Sequence, residues 1–549
     1  MKGNTMNDQS NQSAVGISLL KGAAILGIAA IVSKLLGTMQ KIPLQNIAGD
    51  EVFGIYNAVY PLYILILTLA TAGLPIAISK FVAERTVLGQ LSEAKRVLRL
   101  ATWVLFVLGI LFFGLLYYGA DWFAWLIGIE SSAAAIKSIS FALLLVPFIA
   151  GLRGYFQGLQ NMVPTAISQM IEQLFRVIMM VGLLLYFTRL GYDKGTIAAG
   201  ATFGSVAGAI AGGLVMIYYW RREGKISLIL DVIPPIRESA ASIIRQFLRY
   251  ALPICLGSIV LPILTLVDTF TMPRLLKSDG LSESGAMHLF GIYNHGLPLV
   301  QLIAMIATSM SVALVPSIAE AKLRRQDLAI RTRTEQALRM TWLIGLAASF
   351  GLATAALPIN VMLYKSAEGW QVISIIAFTA VLSSINVVSG SILQGLGAVM
   401  APVRNLLIAA VLKVILNLVL VPIYGIRGAA IAAVIAFGAA CFLNLWDLRK
   451  STQTGLALVQ LKRPLIAIGV MCAVLWGSIE GLEWLFTHIF VDLSYRIMET
   501  LVGLVAIVLA AITYFVMLLR LKAITKMDLL LIPGFESKVL PFIQRLRLL

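Results

Sequence analysis

The sequence predicts an all-α integral membrane protein with about fourteen transmembrane helices: two six-helix lobes in parallel repeat, then two C-terminal helices. Three observations predict this. Of 549 residues, 59% are apolar and only 13% charged, whereas soluble domains run near a quarter charged. Apolar runs recur from residue 15 to residue 521, and each is close to the roughly 20 residues that span a hydrocarbon core. Short motifs in the first half also return in the second at one fixed spacing.

The elements follow in order. Residues 1–14 are polar and read as a disordered cytoplasmic tail. The first apolar run, from Val15 to about Met39, is too long for a signal-peptide core and reads as a retained helix. Spans are expected near 15–38, 53–83, 97–119, 132–158, 163–188, 195–220, 243–272, 287–319, 336–358, 370–396, 401–423, 426–446, 461–486 and 496–520. This gives an N-lobe over 15–220, a cytoplasmic linker over 221–242 and a C-lobe over 243–448. The last two spans lie within 449–521. The tail over 522–549 mixes Lys522, Lys526, Lys538, Arg545 and Arg547 with leucines and Phe542. That composition suits an amphipathic helix on the anionic inner leaflet.

The net charge of +17 does not point to nucleic acid, because the basic residues sit in short clusters between apolar runs. With the N-terminus inside and the spans alternating, 29 of the 43 Lys and Arg fall on the inner side, 9 on the outer side and 5 within spans. Arg85, Lys95, Arg96, Arg221, Arg222, Lys322, Arg324 and Arg325 are among the inner set, Lys41, Arg189 and Arg274 among the outer. The asymmetry favours an even number of spans and both termini in the cytoplasm of a cell-membrane protein.

The repeat spacing is 237 residues. Phe53-Gly54-Ile55-Tyr56-Asn57 returns as Phe290-Gly291-Ile292-Tyr293-Asn294, and Gln157-Gly158-Leu159 returns as Gln394-Gly395-Leu396. Arg176 meets Lys413 at the same spacing. Six spans per repeat make the halves enter from one side, a parallel repeat about an axis along the membrane normal. Gly200, Gly204, Gly208 and Gly212 fall every fourth residue, a spacing that lets a neighbouring helix approach closely. Cys255, Cys441 and Cys472 lie in apolar stretches and read as small buried hydrophobes. His288, His295 and His488 show no metal-ligand spacing, and neither a phosphate loop nor HExxH occurs. No metal, cofactor or catalytic residue is expected.

Three stretches resemble a known family. Ser33-Lys34-Leu35-Leu36-Gly37 resembles the first-helix motif of lipid-linked oligosaccharide flippases. Gly73-Leu74-Pro75-Ile76-Ala77-Ile78-Ser79-Lys80-Phe81-Val82-Ala83-Glu84 is similar to the end of their second helix. Gly154-Tyr155-Phe156-Gln157-Gly158, with Pro164, Ser168, Gln169, Glu172, Gln173 and Arg176, is similar to their fourth-to-fifth span hairpin. The superfamily is the multidrug/oligosaccharidyl-lipid/polysaccharide exporters. The branch is polysaccharide biosynthesis, with stage V sporulation protein B and relatives of the lipid II flippases. The resemblance implies outward movement of undecaprenyl-pyrophosphate-linked oligosaccharide, a peptidoglycan precursor or polysaccharide unit, by alternating access. Expected partners are that lipid, the membrane, and a coupling cation or the membrane potential.

Ionisable side chains within spans are the candidate site residues, since burial at mid-membrane costs about 2.5–3.5 kcal/mol on insertion scales. Arg176 lies twelve residues past Pro164, about 18 Å of helix, and Lys413 eleven past Pro402. Each half thus places a cation near mid-membrane, a pair that suits a pyrophosphate. Glu172 is four residues from Arg176 and can pair with it instead. Lys413 has no carboxylate four residues away. Lys34 either faces the cavity or snorkels outward, whereas snorkelling is expected of Lys80 and Arg153. Asp268 is a candidate ligand for a coupling ion, or a cap. Asn57 and Asn294 either line the cavity or bond between helices. A cation-coupled multidrug exporter is the alternative, but Lys34, Arg176 and Lys413 outnumber the in-span acids Glu172 and Asp268. A membrane-embedded glycosyltransferase or ligase would need clustered acids or histidines outside, and Asp279, Glu283 and His288 are scattered.

Overall fold

The computed structural model describes residues 25–71, 73–226, 239–452, 462–489 and 494–524. The expected tail over 1–14, most of the linker and nearly all of the basic C-terminal tail lie outside them. The described residues are helical throughout, with no strand among them. Helix α1 covers 25–39. It is followed by α2 (Lys41–Thr71), α3 (Leu74–Val87), α4 (Leu91–Tyr118), α5 (Ala120–Ile127), α6 (Ser132–Ser140), α7 (Ala142–Gly158), α8 (Val163–Arg189) and α9 (Lys194–Ile226). Next come α10 (Ala240–Ser258), α11 (Val260–Ser278), α12 (Glu283–Asn294), α13 (Gly296–Leu323), α14 (Asp327–Thr354), α15 (Ala356–Tyr364) and α16 (Trp370–Ile376). The chain ends with α17 (Phe378–Gly395), α18 (Met400–Tyr424), α19 (Ile426–Thr452), α20 (Lys462–Ile489) and α21 (Tyr495–Arg520).

Among the described residues, twelve helical stretches are long and apolar enough to cross a membrane. The difference from the expected fourteen has two sources. The first stretch, Ile25–Val87, runs 63 residues, more than one crossing needs, and takes in the described parts of both spans expected over 15–83. The span expected over 243–272 breaks at Ile259 into α10 and α11, each 19 residues, and neither is among the twelve.

The repeat is written into the backbone. Shifting α7 and α8 by 237 residues lands within a residue or two of the bounds of α17 and α18, and α5 falls within a residue of α15. The turn after α7 hydrogen-bonds Leu159 N to Tyr155 O, Gln160 N to Gln157 O and Asn161 N to Phe156 O. After α17, Leu396 N bonds Ile392 O, Gly397 N bonds Gln394 O and Ala398 N bonds Leu393 O, each shifted by 237. Gln160 and Gly397 take the same left-handed conformation, with φ of 59° and 81°. The register slips by one residue around α4. The turn Leu88–Gln90 matches Arg324–Gln326, so the short motifs stay in register while the hairpin between them has lost or gained a residue.

By internal contacts the chain forms two compact units. One holds the described residues of 1–277 with 281–291, and the other 278–280 with 292–524. In the first unit the repeated glycines meet reciprocally. A Cβ on Gly54 would overlap the carbonyl oxygen of Met287, and one on Gly291 would overlap that of Asp50. Asp50 and Met287 are themselves 237 apart. Residue i against j′ and j against i′ is the signature of a twofold contact, here between equivalent segments of one chain. In the second unit, apolar clusters on α14, α17 and α19 and on α14, α15, α20 and α21 form the core.

Candidate functional site

Helix α8 carries the site. Pro164 in its first turn lacks only an N–H that would be unbonded there anyway. Its Thr165, Ser168, Gln173, Met180 and Leu184 are buried, while Phe175, Ile178 and Tyr186 face outward. The glycine stripe of α9 seats it. A Cβ on Gly208 would lie 2.6 Å from Glu172 O, and one on Gly204 2.7 Å from Arg176 O. One on Gly212 would lie 3.0 Å from Glu172 Cβ, and Gly200 meets Phe187. Only residues without a side chain permit this backbone approach.

Glu172 sits between two arginines. Arg176 Nη2 donates to Glu172 Oε1 at 3.0 Å, and Arg153 Nη2 donates to Glu172 Oε2 at 2.7 Å. Arg153 Nη2 also donates to Ser168 Oγ at 2.7 Å, and Ser168 Oγ donates to Gly212 O at 2.9 Å. The three charged side chains are 12–14% exposed, and together they carry one net positive charge. Glu172 therefore does not stand ready for a cationic ligand. Arg153 does not snorkel, because Glu172 reaches it across the α7–α8 turn.

Arg176 Nη1 donates to Tyr60 Oη at 3.3 Å. Its Nε, and the hydroxyl of nearby Tyr63, are buried without a hydrogen-bond partner. Tyr56, Tyr60 and Tyr63 form a ladder along α2, with ring centroids 5.3 and 6.0 Å apart. Gln173 Nε2 reaches Gln40 Oε1 at 3.4 Å and extends the polar wall.

A break in α2 brings further polar groups in. Gly49 has φ 82° and ψ 174°, a backbone that glycine adopts freely. The chain doubles back there, so Lys41 Nζ donates to Asn57 Oδ1 at 3.0 Å although sixteen residues separate them. A straight helix would hold them about 24 Å apart. Asn57 Nδ2 donates to Phe53 O at 2.7 Å. Asn57 thus ties the two arms of α2 together, and Lys41, read from sequence as an outer-segment lysine, is buried. Lys34 does not join the cluster. It is exposed on α1, and no ion pair to it occurs among the described residues.

In the second unit Lys413 is 3% exposed on α18 and has an interaction partner there. Its surroundings depart from the repeat: Ala409 stands where Glu172 would, Gly390 where Arg153 would, and Asn405 where Ser168 would. Asn405 Nδ2 donates to Asn444 Oδ1 at 2.9 Å, and Asn444 Nδ2 donates to Asn386 Oδ1 at 3.0 Å. A buried amide chain replaces the charged triad. Asn294 is buried at the end of α12. Beside it the His295 ring stacks on Tyr364 at 4.1 Å, and its Nδ1 lies 2.9 Å from Asn360 Oδ1. Asp268 is buried on α11 and also has a partner. Among the described residues no three His, Cys, Asp or Glu side chains are grouped to hold a metal ion.

From sequence Arg153 reads as a snorkelling residue and Lys41 as an outer-segment lysine, neither as part of the site, and the tyrosine ladder was not singled out. The period of Tyr56, Tyr60 and Tyr63, at steps of four and three, was the available signal for one polar face.

The chain resembles known proteins over most of its length. The chain is 31% identical to the uncharacterized membrane protein YabM of Bacillus subtilis, over 96% of each chain. It is 25% identical to the lipid II flippase MurJ of Bacillus subtilis, over 95% of this chain and 98% of that one. It is 26% identical to stage V sporulation protein B of Bacillus subtilis, over 94% and 98%. Its fold is that of a MATE-family multidrug resistance transporter of the MOP superfamily facing inward (TM-score 0.64, 16% identity, 77% of this chain and 95% of that one). It is equally that of the lipid II flippase MurJ in an inward closed conformation (TM-score 0.62, 14% identity, 90% and 100%). The family described as polysaccharide biosynthesis protein matches residues 19–322, and the chain belongs to that family of multi-span membrane proteins.

Proposed function

We propose that the protein is a flippase that moves an undecaprenyl-pyrophosphate-linked oligosaccharide across the cell membrane by alternating access, with both termini cytoplasmic. The observation that carries this reading is the charge of the buried site: among the described residues the Arg153–Glu172–Arg176 triad keeps one net positive charge, and Arg176 Nε is buried without a hydrogen-bond partner. A buried cation needs compensation, and a pyrophosphate supplies it. Lys413, the repeat equivalent of Arg176, is a second buried cation, carried by the second unit. The second unit has an apolar surface of its own that suits a lipid tail. An apolar cavity of about 440 Å³ lies in the second unit between α14, α20 and α21, lined by Gly351, Met471, Ile507 and Ala510. The fold relationship to a multidrug transporter keeps drug export as a second reading, but Glu172 is already neutralised by two arginines.

The test is transport in vesicles of defined lipids, with a fluorescent undecaprenyl-pyrophosphate sugar and an external quencher. The protein should speed quenching over empty vesicles. Lys413→Ala should abolish that gain without loss of protein, and Lys413→Arg should keep part of it. Transport of a lipophilic cation with no movement of the lipid-linked sugar would refute the proposal. Reporters fused to each end check the orientation, and an external C-terminus would overturn it.

A further inference from the structure

A cavity of about 500 Å³ opens in the first unit between α4, α7 and α9, away from the charged triad. Lys95 and Arg99 stand at one end of it, on the first turns of α4. Trp103 and Phe106 continue the same wall, at the spacing of a single helix face. Leu152 of α7 and Trp220 of α9 form the opposite wall. Trp103 is 62% exposed and Phe106 43%, so the groove is open along its side. Arg99 makes no ion pair among the described residues, while neighbouring Arg96 is paired with Glu93 at 3.3 Å.

We infer that this groove binds one anionic glycerophospholipid, its phosphate held by Lys95 and Arg99 and an acyl chain laid along Trp103, Phe106 and Leu152. The dimensions agree with that occupant. From Lys95 to Phe106 is eleven residues, about 16 Å of helix, and one leaflet of a roughly 30 Å hydrocarbon core is about 15 Å deep. The sorting of side chains agrees too. The cations lie at the end of the groove where α4 begins, the headgroup level of the leaflet on the side of the α3–α4 turn, and aromatic and aliphatic groups lie below. Basic pockets between transmembrane helices take anionic headgroups in this way, and tryptophan prefers the same interfacial level. A neutral lipid would gain the apolar wall but nothing from the two cations.

Native mass spectrometry of the delipidated full-length protein, titrated with dioleoyl phosphatidylglycerol or dioleoyl phosphatidylcholine, tests this. One phosphatidylglycerol should bind at least tenfold more tightly than phosphatidylcholine. The Lys95→Ala/Arg99→Ala double variant should lose that preference while still binding phosphatidylcholine, and Lys95→Arg/Arg99→Lys should keep it. Trp103→Ala should weaken both lipids alike. Equal affinity for the two lipids in the parental protein, or an undiminished preference in the alanine double variant, would overturn the inference. So would glycerol phosphate displacing phosphatidylglycerol at equal concentration, since the acyl groove would then contribute nothing.

Discussion

Removing Glu172 should destabilise the protein more than removing either arginine that binds it. In the parental triad two guanidiniums share one carboxylate, at 2.7 and 3.0 Å. Glu172→Gln leaves two buried positive charges facing each other with no counter-charge. Breaking a buried ion pair from one side costs about 3–5 kcal/mol, and the second guanidinium places this variant at the upper end. Arg153→Met removes the excess cation and leaves a neutral Glu172–Arg176 pair. Its cost is the charged hydrogen bond, about 1.5–3 kcal/mol, plus the contact to Ser168. In the double variant Arg153→Met/Glu172→Gln only Arg176 is uncompensated, so its loss should fall below the sum of the two single losses. Thermal unfolding in one detergent, read by the fraction remaining monodisperse after heating, gives the order: parental, Arg153→Met, then Glu172→Gln. Equal melting of the two single variants, or additive losses in the double, would show that the three side chains do not act as one coupled charged unit.

Three further outcomes follow from the geometry. Gly208→Leu should abolish accumulation of folded protein, because its Cβ alone would sit 2.6 Å from Glu172 O, whereas Gly182→Ala, with nothing within 4 Å, should accumulate normally on a membrane immunoblot. Gly54→Val and Gly291→Val should be similarly damaging, since each adds bulk against the carbonyl of the other repeat, and a tolerant Gly291 would refute the reciprocal contact. Asp193 caps α9 by accepting from Thr196 N at 2.9 Å and Thr196 Oγ1 at 2.7 Å, and the Thr196 hydroxyl bond is the main cause that holds its carboxyl below the usual aspartate value. A depressed carboxyl contributes stability above its unfolded value, lost as the pH falls through the folded one. Asp193→Ala should therefore cost about 0.5–2 kcal/mol near neutral pH, a gap that narrows below about pH 4 in melting curves.

The spans and the repeat could be read in the sequence because both are properties of local composition and spacing. The expected spans over 163–188 and 401–423 coincide with α8 and α18 almost residue for residue. What stayed hidden is which side chains the turns bring together. The doubling back at Gly49 falls in the segment expected between the first two spans, yet its geometry turns Lys41 from a loop cation into a buried partner of Asn57. The break at Ile259 is hidden because hydropathy averages over it. For Arg153 the partner is nineteen residues away across a hairpin, outside the range of any helix-face pairing rule. The pairing of Glu172 with Arg176, by contrast, was visible as a four-residue step on one face.

The glycine stripe has a mechanical consequence. Four glycines seated against α8, two of them on its backbone carbonyls, leave α8 and α9 little room to slide or pivot against each other, so they should move as one stiff plank. Any displacement of Arg176 during a working cycle is carried to the far end of α9 at Ile226. A ligand bound at the charged triad would thereby act, as a push acts on a rigid lever, at the end of the first repeat.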